Sequence, residues 1–325
     1  MIRKYVQLIV IFAITLVIIF SNISCEKKHA EKPLIKKLGT IDCMLAENTP
    51  IVFKGKLYRF EYISMYYEHN KTGRSYFRFI DVESGKPTPS FAAGYHLGSA
   101  IVENNTVYVF GVNAWGGSDI QLFYSNDLQT WSAQPALSLG GWGLYNNSVC
   151  KGKGKYIMAI EVGEPPEIVG KRFTMRFAES KDLLSWKILS DISVYTKERY
   201  TACPAIRFVK NYYYMLYLEE MPGPTYETHI VRSKDLAKWE NSPFNPVLVH
   251  SPEDKIIANP NLTPDQQERI TKAVNINNSD ADLCEFNGKV IIYYNWGDQQ
   301  TFGCLAEAIY NGTLEKFLTG FFQNK

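Results

Sequence analysis

The sequence is poor in cysteine, in net charge and in helical periodicity, and each shortage argues against a class of protein. Only 6 of the 325 residues are cysteine, and no two of them stand in a C-x-x-C spacing. Neither a zinc site nor a disulfide framework is implied, and we expect buried single thiols with one pair at most. The formal net charge is only +2 and no row of Lys and Arg alternates with aromatic residues. No nucleic-acid partner is therefore expected.

Short alternating runs of Tyr, Phe, Val and Ile are abundant instead. The composition is 46% hydrophobic, 14% aromatic and 21% charged, which suits a compact protein with a large core. Alternation with a period of two favours β-strands that bury one face. The expected class is all-β, and no cofactor or metal is predicted.

The first 25 residues have the organisation of an export signal. Arg3 and Lys4 precede an apolar run over residues 5–20, and Ser24-Cys25 follows it closely. This arrangement is typical of a secretory signal, and the cysteine after a small residue makes it resemble a bacterial lipoprotein signal. An ordinary signal peptide and a membrane anchor are the alternatives, although the run is short for a span of about 20 residues.

The lipoprotein interpretation predicts where the mature protein lies. Cys25 would carry the lipid, at the outer membrane or at a membrane surface that faces the periplasm. The lipid anchor would be the only membrane contact. Residues 26–44 are expected to form a flexible tether that could also supply a closing strand.

One phrase, S-x-D-L-x-x-W, occurs three times and organises the rest of the chain. Its copies begin at Ser125, Ser180 and Ser233, a nearly constant spacing that indicates stacked or radial units. Each copy follows a strand-like segment, so it is predicted to be a turn. Its Ser and Asp would bond nearby backbone amides, and its Leu and Trp would pack between neighbouring units.

From about residue 45 the chain divides into five similar units of aromatic-rich hairpins. The fold prediction is a five-bladed β-propeller with four-stranded blades over residues 45–325. The predicted blades are residues 45–98, 99–143, 144–198, 199–249 and 279–325, with an insertion at 250–278. Within the insertion, residues 263–269 have the cap and first-turn residues of a short helix. A β-sandwich would not repeat one turn phrase at this spacing.

Ligands of propellers bind where the first strands of the blades converge on a funnel. Aligning the unit starts gives a ring of equivalent positions at Thr49, Ser99, Asn147, Cys203 and Asp282. Two residues earlier lies a second ring of Glu47, Leu97, Tyr145, Thr201 and Asp280. Second strands add further carboxylates. Paired carboxylates beside aromatic rings are what glycoside hydrolysis requires.

The repeats, the hairpins and the export signal together resemble the five-bladed β-propeller glycoside hydrolases. These are the family 43 enzymes and their relatives in families 32, 117 and 130. The resemblance covers about residues 45–322. It implies an Asp base on blade one, a pKa-tuning Asp on blade two and a Glu acid on blade three. This sequence departs from that pattern, because the matching positions hold Thr49, Ser99 and Asn147.

The functional prediction is an exported glycoside hydrolase that cleaves poly- or oligosaccharides. The candidate catalytic carboxylates are Glu47, Asp280, Asp282, Glu161 and Glu219. The candidate substrate-binding residues are His96, Asn147, Arg199, Trp296 and Asp298. Two alternatives stay open at this point. One is a non-catalytic carbohydrate-binding lipoprotein, and the other is a glycoside phosphorylase, for which Arg199 and Arg207 would supply phosphate contacts.

Overall fold

The computed structural model describes residues 31–223 and 225–323. The predicted signal and its Cys25 lie outside these residues. The first strands are β1 (Lys36–Cys43), β2 (Asn48–Phe53), β3 (Lys56–Ile63), β4 (Tyr76–Asp81), β5 (His96–Glu103), β6 (Thr106–Val112), β7 (Asp119–Ser125), β8 (Ser132–Ser138), β9 (Gly143–Gly152) and β10 (Lys155–Glu164). The others are β11 (Thr174–Ser180), β12 (Lys187–Ile188), β13 (Thr201–Val209), β14 (Tyr212–Met221), β15 (Thr225–Ser233), β16 (Trp239–Asn241), β17 (Asn277–Phe286), β18 (Lys289–Gly297) and β19 (Gly303–Asn311).

Among the described residues, four short helical segments accompany these strands. They are α1 (Pro166–Val169), a 3-10 helix (Pro252–Lys255), α2 (Pro264–Lys272) and α3 (Leu314–Gly320). Within the described residues, none of the helices is long and apolar enough to cross a bilayer.

The strands form antiparallel sheets arranged around an axis. The sheets run β2-β3-β4, β5-β6-β7-β8, β9-β10-β11-β12, β13-β14-β15-β16 and β17-β18-β19-β1, and a parallel bridge joins β15 to β17. The innermost strands β2, β5, β9, β13 and β17 contact one another in that order, and β17 contacts β2 again. The predicted five-bladed propeller is therefore confirmed. In blade one the fourth strand is reduced to bridges of residues 87 and 91 to β4.

Strand β1 joins the two ends of the described chain. It pairs antiparallel with β19, and it thus supplies the outermost strand of blade five. A buried polar network fastens it there, because Lys37 Nζ lies 2.6 Å from Asp254 Oδ1 in the insertion. Asp254 also accepts from Tyr294 Oη at 2.8 Å and from Asn275 Nδ2 at 2.8 Å. Every bond that a buried carboxylate needs is thus supplied by blade five, the insertion and β1.

The three copies of the repeated phrase are turns between the third and fourth strands of blades two, three and four, as the sequence predicts. In the first copy, Ser125 Oγ accepts from the amides of Asp127 and Leu128, and Asp127 Oδ1 accepts from the next two amides. The Leu of each copy has a left-handed φ of 60–68° and is buried. In this conformation the turn places its Leu in the space between blades.

The insertion covers the side of the ring where blades five and one meet. Thr263 caps α2 and forms a capping box with Gln266, so the predicted helix is confirmed. Arg269 on α2 pairs with Glu68 in the loop between β3 and β4, with 2.5 Å between Nη2 and Oε2. The insertion therefore connects blade five to blade one.

Replacing Asp254 with Ala tests how strongly the ring depends on this network. The change leaves Lys37, Tyr294 and Asn275 without this buried acceptor, and we expect a loss of about 3 to 5 kcal/mol in the free energy of unfolding. Urea titration of the variant measures it. Glu253→Ala, which removes the exposed neighbouring carboxylate, should differ from wild type by less than about 0.5 kcal/mol. Equal midpoints for both variants would show that the network does not hold β1.

Candidate active site

Bulges at the start of the innermost strands turn side chains towards the axis. The register of β5, β13 and β17 is irregular at Leu97, Cys203 and Asp280, whose φ angles are 51°, 54° and 49°. Each bulged residue stands two positions before a residue that pairs regularly with the second strand, such as Ser99. Non-glycine residues rarely adopt this conformation, and it persists where the surrounding structure imposes it, often at functional sites.

A small polar pocket lies where these strand starts converge. Its volume is about 30 Å³, and all five blades contribute to its lining. The polar side chains that line it include those of Glu47, Ser99, Asn146, Cys203, Asp280 and Asp282. A pocket that no single blade can build is the expected location of a propeller's ligand site.

Glu161 lies beside this pocket and is bonded to two of the residues that line it. It lies on β10 and is only 4% exposed. Its Oε2 accepts from the backbone amide of Cys203 at 2.7 Å and from Asn146 Nδ2 at 3.1 Å. Burial raises the pKa of Glu161 to about 7, although both hydrogen bonds oppose the rise, and the charge of Asp280 adds to it.

Glu47 and Asp280 are two further carboxyls at the pocket, and they repel each other when both are charged. Burial, followed by the charge of Asp280, raises the pKa of Glu47 to about 8. Burial also raises the pKa of Asp280, while hydrogen bonds from Ser279 Oγ (2.6 Å) and from the Cys203 thiol favour its ionised form. Two neighbouring carboxyls repel each other when both are ionised, so one of them tends to keep its proton. The donors to Asp280 favour its ionised form, and Asp280 is therefore the first of the two to ionise.

Sequence reasoning missed Asn146 and Cys203 as pocket residues at the level of Glu47 and Asp280. It placed Tyr145 and Thr201 there because it aligned the blades by their apparent strand starts. Counting back from the hairpin turns at residues 153–154 and 210–211 would have found both residues. The five cysteines outside the signal are free, as expected. Burial raises the pKa of the Cys203 thiol well above its usual value, and the nearby carboxylates add to the rise, so the thiol remains protonated.

Two predicted site residues line the pocket but are committed to contacts between blades. Asp282 forms an ion pair with Arg207 of blade four and accepts from the amide of Leu283 at 2.8 Å. Asn147 accepts from Ser99 Oγ at 2.7 Å and donates to the Leu97 carbonyl at 3.2 Å. These bonds hold neighbouring blades together, and they occupy the groups that would otherwise meet a substrate.

Two further candidates do not reach the pocket. Trp296 is 0% exposed and its indole donates to Thr40 Oγ1 at 2.8 Å, so the predicted sugar contact is corrected to a core role. Asp298 accepts from the amides of residues 300–302 in its own turn. Although partial burial opposes it, these bonds lower the pKa of Asp298 to about 2.

The remaining candidates occupy two separate networks. His96 Nδ1 lies 2.8 Å from Tyr62 Oη, and burial lowers the pKa of His96 and favours the neutral imidazole. The neighbouring Glu47 contributes to a raised pKa of Tyr62, after burial, which places this pair beside the carboxyls. Glu219 instead pairs with Arg199 and accepts from Tyr217 Oη at 2.7 Å on blade four. The described residues contain no group of His, Cys, Asp or Glu arranged to hold a metal.

The raised pKa of Glu161 makes the site a pH-dependent cost to stability. The folded protein holds this proton up to about pH 7, whereas the unfolded chain releases it near 4.5. Stability therefore falls as the pH rises through that window and stays low above it. Glu161→Gln should be more stable than wild type, with a free energy of unfolding up to about 3 kcal/mol higher at pH 9 and little changed at pH 4. Urea titration at both pH values measures the difference. Glu83→Gln, at an exposed position, should show no such trend. A gap that is independent of pH would contradict the assignment.

Comparison with known proteins supplies a fold and no family by sequence. No family model and no curated protein sequence matches the chain. Among solved structures, a complex of BT0996 with RGII shares 13% identity at a TM-score of 0.60, and the match covers 87% of this protein and 94% of that one. A thermostable family 43 glycoside hydrolase shares 11% identity at a TM-score of 0.55, and the match covers 83% of this protein and 90% of that one. The family 32 β-fructofuranosidase BmSUC1 of Bombyx mori shares 13% identity at a TM-score of 0.56, with 85% of this protein and 61% of that one covered. The protein therefore has the five-bladed β-propeller fold of the family 43 and family 32 glycoside hydrolases.

Proposed function

We propose that the protein is a glycoside hydrolase acting on oligo- or polysaccharides. The observation that carries the proposal is that Glu47 and Asp280, from blades one and five, line one pocket. Glu161 of blade three lies directly behind its lining, bonded to Asn146 and to the Cys203 amide. Hydrolysis of a glycosidic bond needs one carboxyl that holds a proton and one that is ionised. The two needs are met when environments push the pKa values of neighbouring carboxyls apart.

Glu161 is assigned as the general acid and Asp280 as the ionised partner. A pKa of about 7 leaves much of Glu161 protonated at neutral pH, and the bonds to its Oε2 fix the direction of the other oxygen. Asp280 is favoured as the carboxylate by its two donors, and it would activate water or attack the anomeric carbon. Glu47 keeps its proton beside Asp280, which relieves the repulsion between them.

The contacts of the arginines count against a phosphorylase. A phosphate co-substrate needs a free cation in the site. Arg207 is already paired with Asp282, and Arg199 is paired with Glu219 outside the pocket lining. Hydrolysis by water requires neither residue.

The proposal is tested on the protein from residue 26 onward with natural oligosaccharides and dinitrophenyl glycosides of the same sugars. Glu161→Gln should lower turnover of the oligosaccharides by about 10²- to 10⁴-fold, since their leaving groups need a proton. Dinitrophenyl glycosides, whose leaving group needs none, should be affected far less. Asp280→Asn should abolish both activities, and Glu219→Gln should retain them.

Other outcomes would change the assignment in distinct ways. Binding of glycans by wild type without turnover would replace the hydrolase with a carbohydrate-binding propeller. Equal losses on both substrate classes in Glu161→Gln would remove its role as the acid. A collapse in Glu219→Gln would move the site to blade four.

We also propose that the protein is exported and lipidated at Cys25. The support is the sequence alone, namely the basic start, the apolar run and Ser24-Cys25. Growth of an expressing bacterium with an alkyne-bearing palmitate should label the wild type and leave Cys25→Ala unlabelled. Ser24→Ala, which keeps a small residue before the cysteine, serves as the control and should still be labelled. Equal labelling of Cys25→Ala would contradict lipidation at this residue.

A further inference from the structure

One large aromatic side chain on the loop between β6 and β7 has no burial to explain it. Trp115 is 62% exposed, whereas the tryptophan side chains of the repeated phrase pack between blades. The innermost strand β5 begins at the pocket end of the propeller, and the antiparallel strand β6 returns to that end. The loop that follows β6 therefore lies at the same end of the propeller as the pocket. A large aromatic ring exposed at the pocket end of the propeller is available to stack on a ligand.

The loop that carries Trp115 is held rigidly. The amide of Asn113 donates to the Asp119 carbonyl at 2.9 Å, and that of Gly117 donates to the Ala114 carbonyl at 3.0 Å. The amide of Leu144 donates to the Gly117 carbonyl at 2.9 Å, which fixes the loop to β9 of the next blade. The ring is therefore presented in one place before any ligand arrives, which lowers the entropy that binding must offset.

Tyr145 supports the indole from below. The two rings meet edge to face, with centroids 6.0 Å apart and an interplanar angle of 84°. Tyr145 Oη donates to Glu164 at 3.2 Å and accepts from Arg172 Nη2 at 3.0 Å, and Arg172 pairs with Glu164 at 2.6 Å. Gly116 has a φ of 68°, and a Cβ there would lie 2.9 Å from Tyr145 Oη, so only glycine allows this approach.

The aromatic pair of Trp115 and Tyr145 is connected to the proposed acid through the next residue of β9. Tyr145 is followed on β9 by Asn146, whose Nδ2 donates to Glu161 Oε2. Contacts therefore lead from Trp115 through Tyr145 and its neighbour Asn146 to the proposed acid. The part of a substrate that departs with the oxygen protonated by Glu161 leaves on the side of that carboxyl.

We propose that the exposed face of Trp115 binds the sugar on the leaving-group side of the scissile bond. A pyranose or furanose presents apolar C–H groups on one face, and these stack on an aromatic ring. Arg172, whose side chain is 56% exposed, lies next to Tyr145 and has further N–H groups that can donate to the hydroxyls of the sugar. The inference rests on the proposed glycosidase activity, since the acid defines which side is the leaving group.

The first test measures binding and needs no turnover. Glu161→Gln and the double variant Glu161→Gln/Trp115→Ala are applied to one array of plant, algal and host glycans. The double variant should bind roughly tenfold more weakly to the glycans that the single variant retains. Leu184→Ala, which removes an exposed apolar side chain from a turn at the opposite end of the propeller, is the control in the same background and should bind as before.

The second test separates this surface from the catalytic proposal. In the otherwise wild-type protein, Trp115→Ala should raise KM for oligosaccharides about tenfold, with Trp115→Phe restoring much of the loss. Glycosyl fluorides, which carry no ring on the leaving group, should be hydrolysed as by wild type. Hydrolysis of oligosaccharides with an unchanged KM would overturn the surface and leave the hydrolase standing. Glycan binding that depends on Trp115 without any turnover would support the sugar contact and overturn the hydrolase. Absence of glycan binding in both variants would overturn the sugar contact of Trp115.

Discussion

Closure of the ring is the constraint on which the pocket depends. The pocket lining comes from the starts of five innermost strands, so an open ring would have no pocket. Closure brings together segments that are more than 200 residues apart, because β1 pairs with β19 and Lys37 reaches Asp254. The ion pair is buried, and its cost is offset only because Tyr294 and Asn275 complete the bonds of the carboxylate. The stability of the propeller and the shape of the pocket therefore depend on the same structural element.

The site departs from the regularity of the sheets that support it. Cys203 and Asp280 have left-handed φ angles, each at a cost on the order of 1 kcal/mol or more, and both stand at bulges. The same bulge directs the Cys203 amide to Glu161, so one departure from strand geometry fixes an acid on another blade. Burial of the Glu161 carboxyl adds a second cost, which the rest of the propeller offsets by its apolar packing between blades.

The sequence could predict the blades because their signals are local. Ser125 and Asp127 bond amides within five residues, and a hairpin needs only its own two strands. The site was predicted less well, because the blades were aligned by their apparent strand starts and not by their hairpin turns. Asn146 was missed for that reason, and Cys203 was placed at the level of Asp282 instead of Asp280. Trp296 was assigned to the substrate because its type suits sugars, whereas its burial is a tertiary property that no local pattern shows.

The neutral residues at the positions where family 43 enzymes would carry acids have a structural use here. Asn147 and Ser99 bond each other across two blades, and Thr49 donates to Asp282 across the blade-one and blade-five boundary. A carboxylate at Ser99 or Asn147 would break such a contact and bury a further charge beside Asp280. Asp280 and Glu161 are carried by other positions, at a bulge and on β10. There an amide and a thiol donate hydrogen bonds to them. The bonds that connect neighbouring blades thus account for the neutral residues at these three positions.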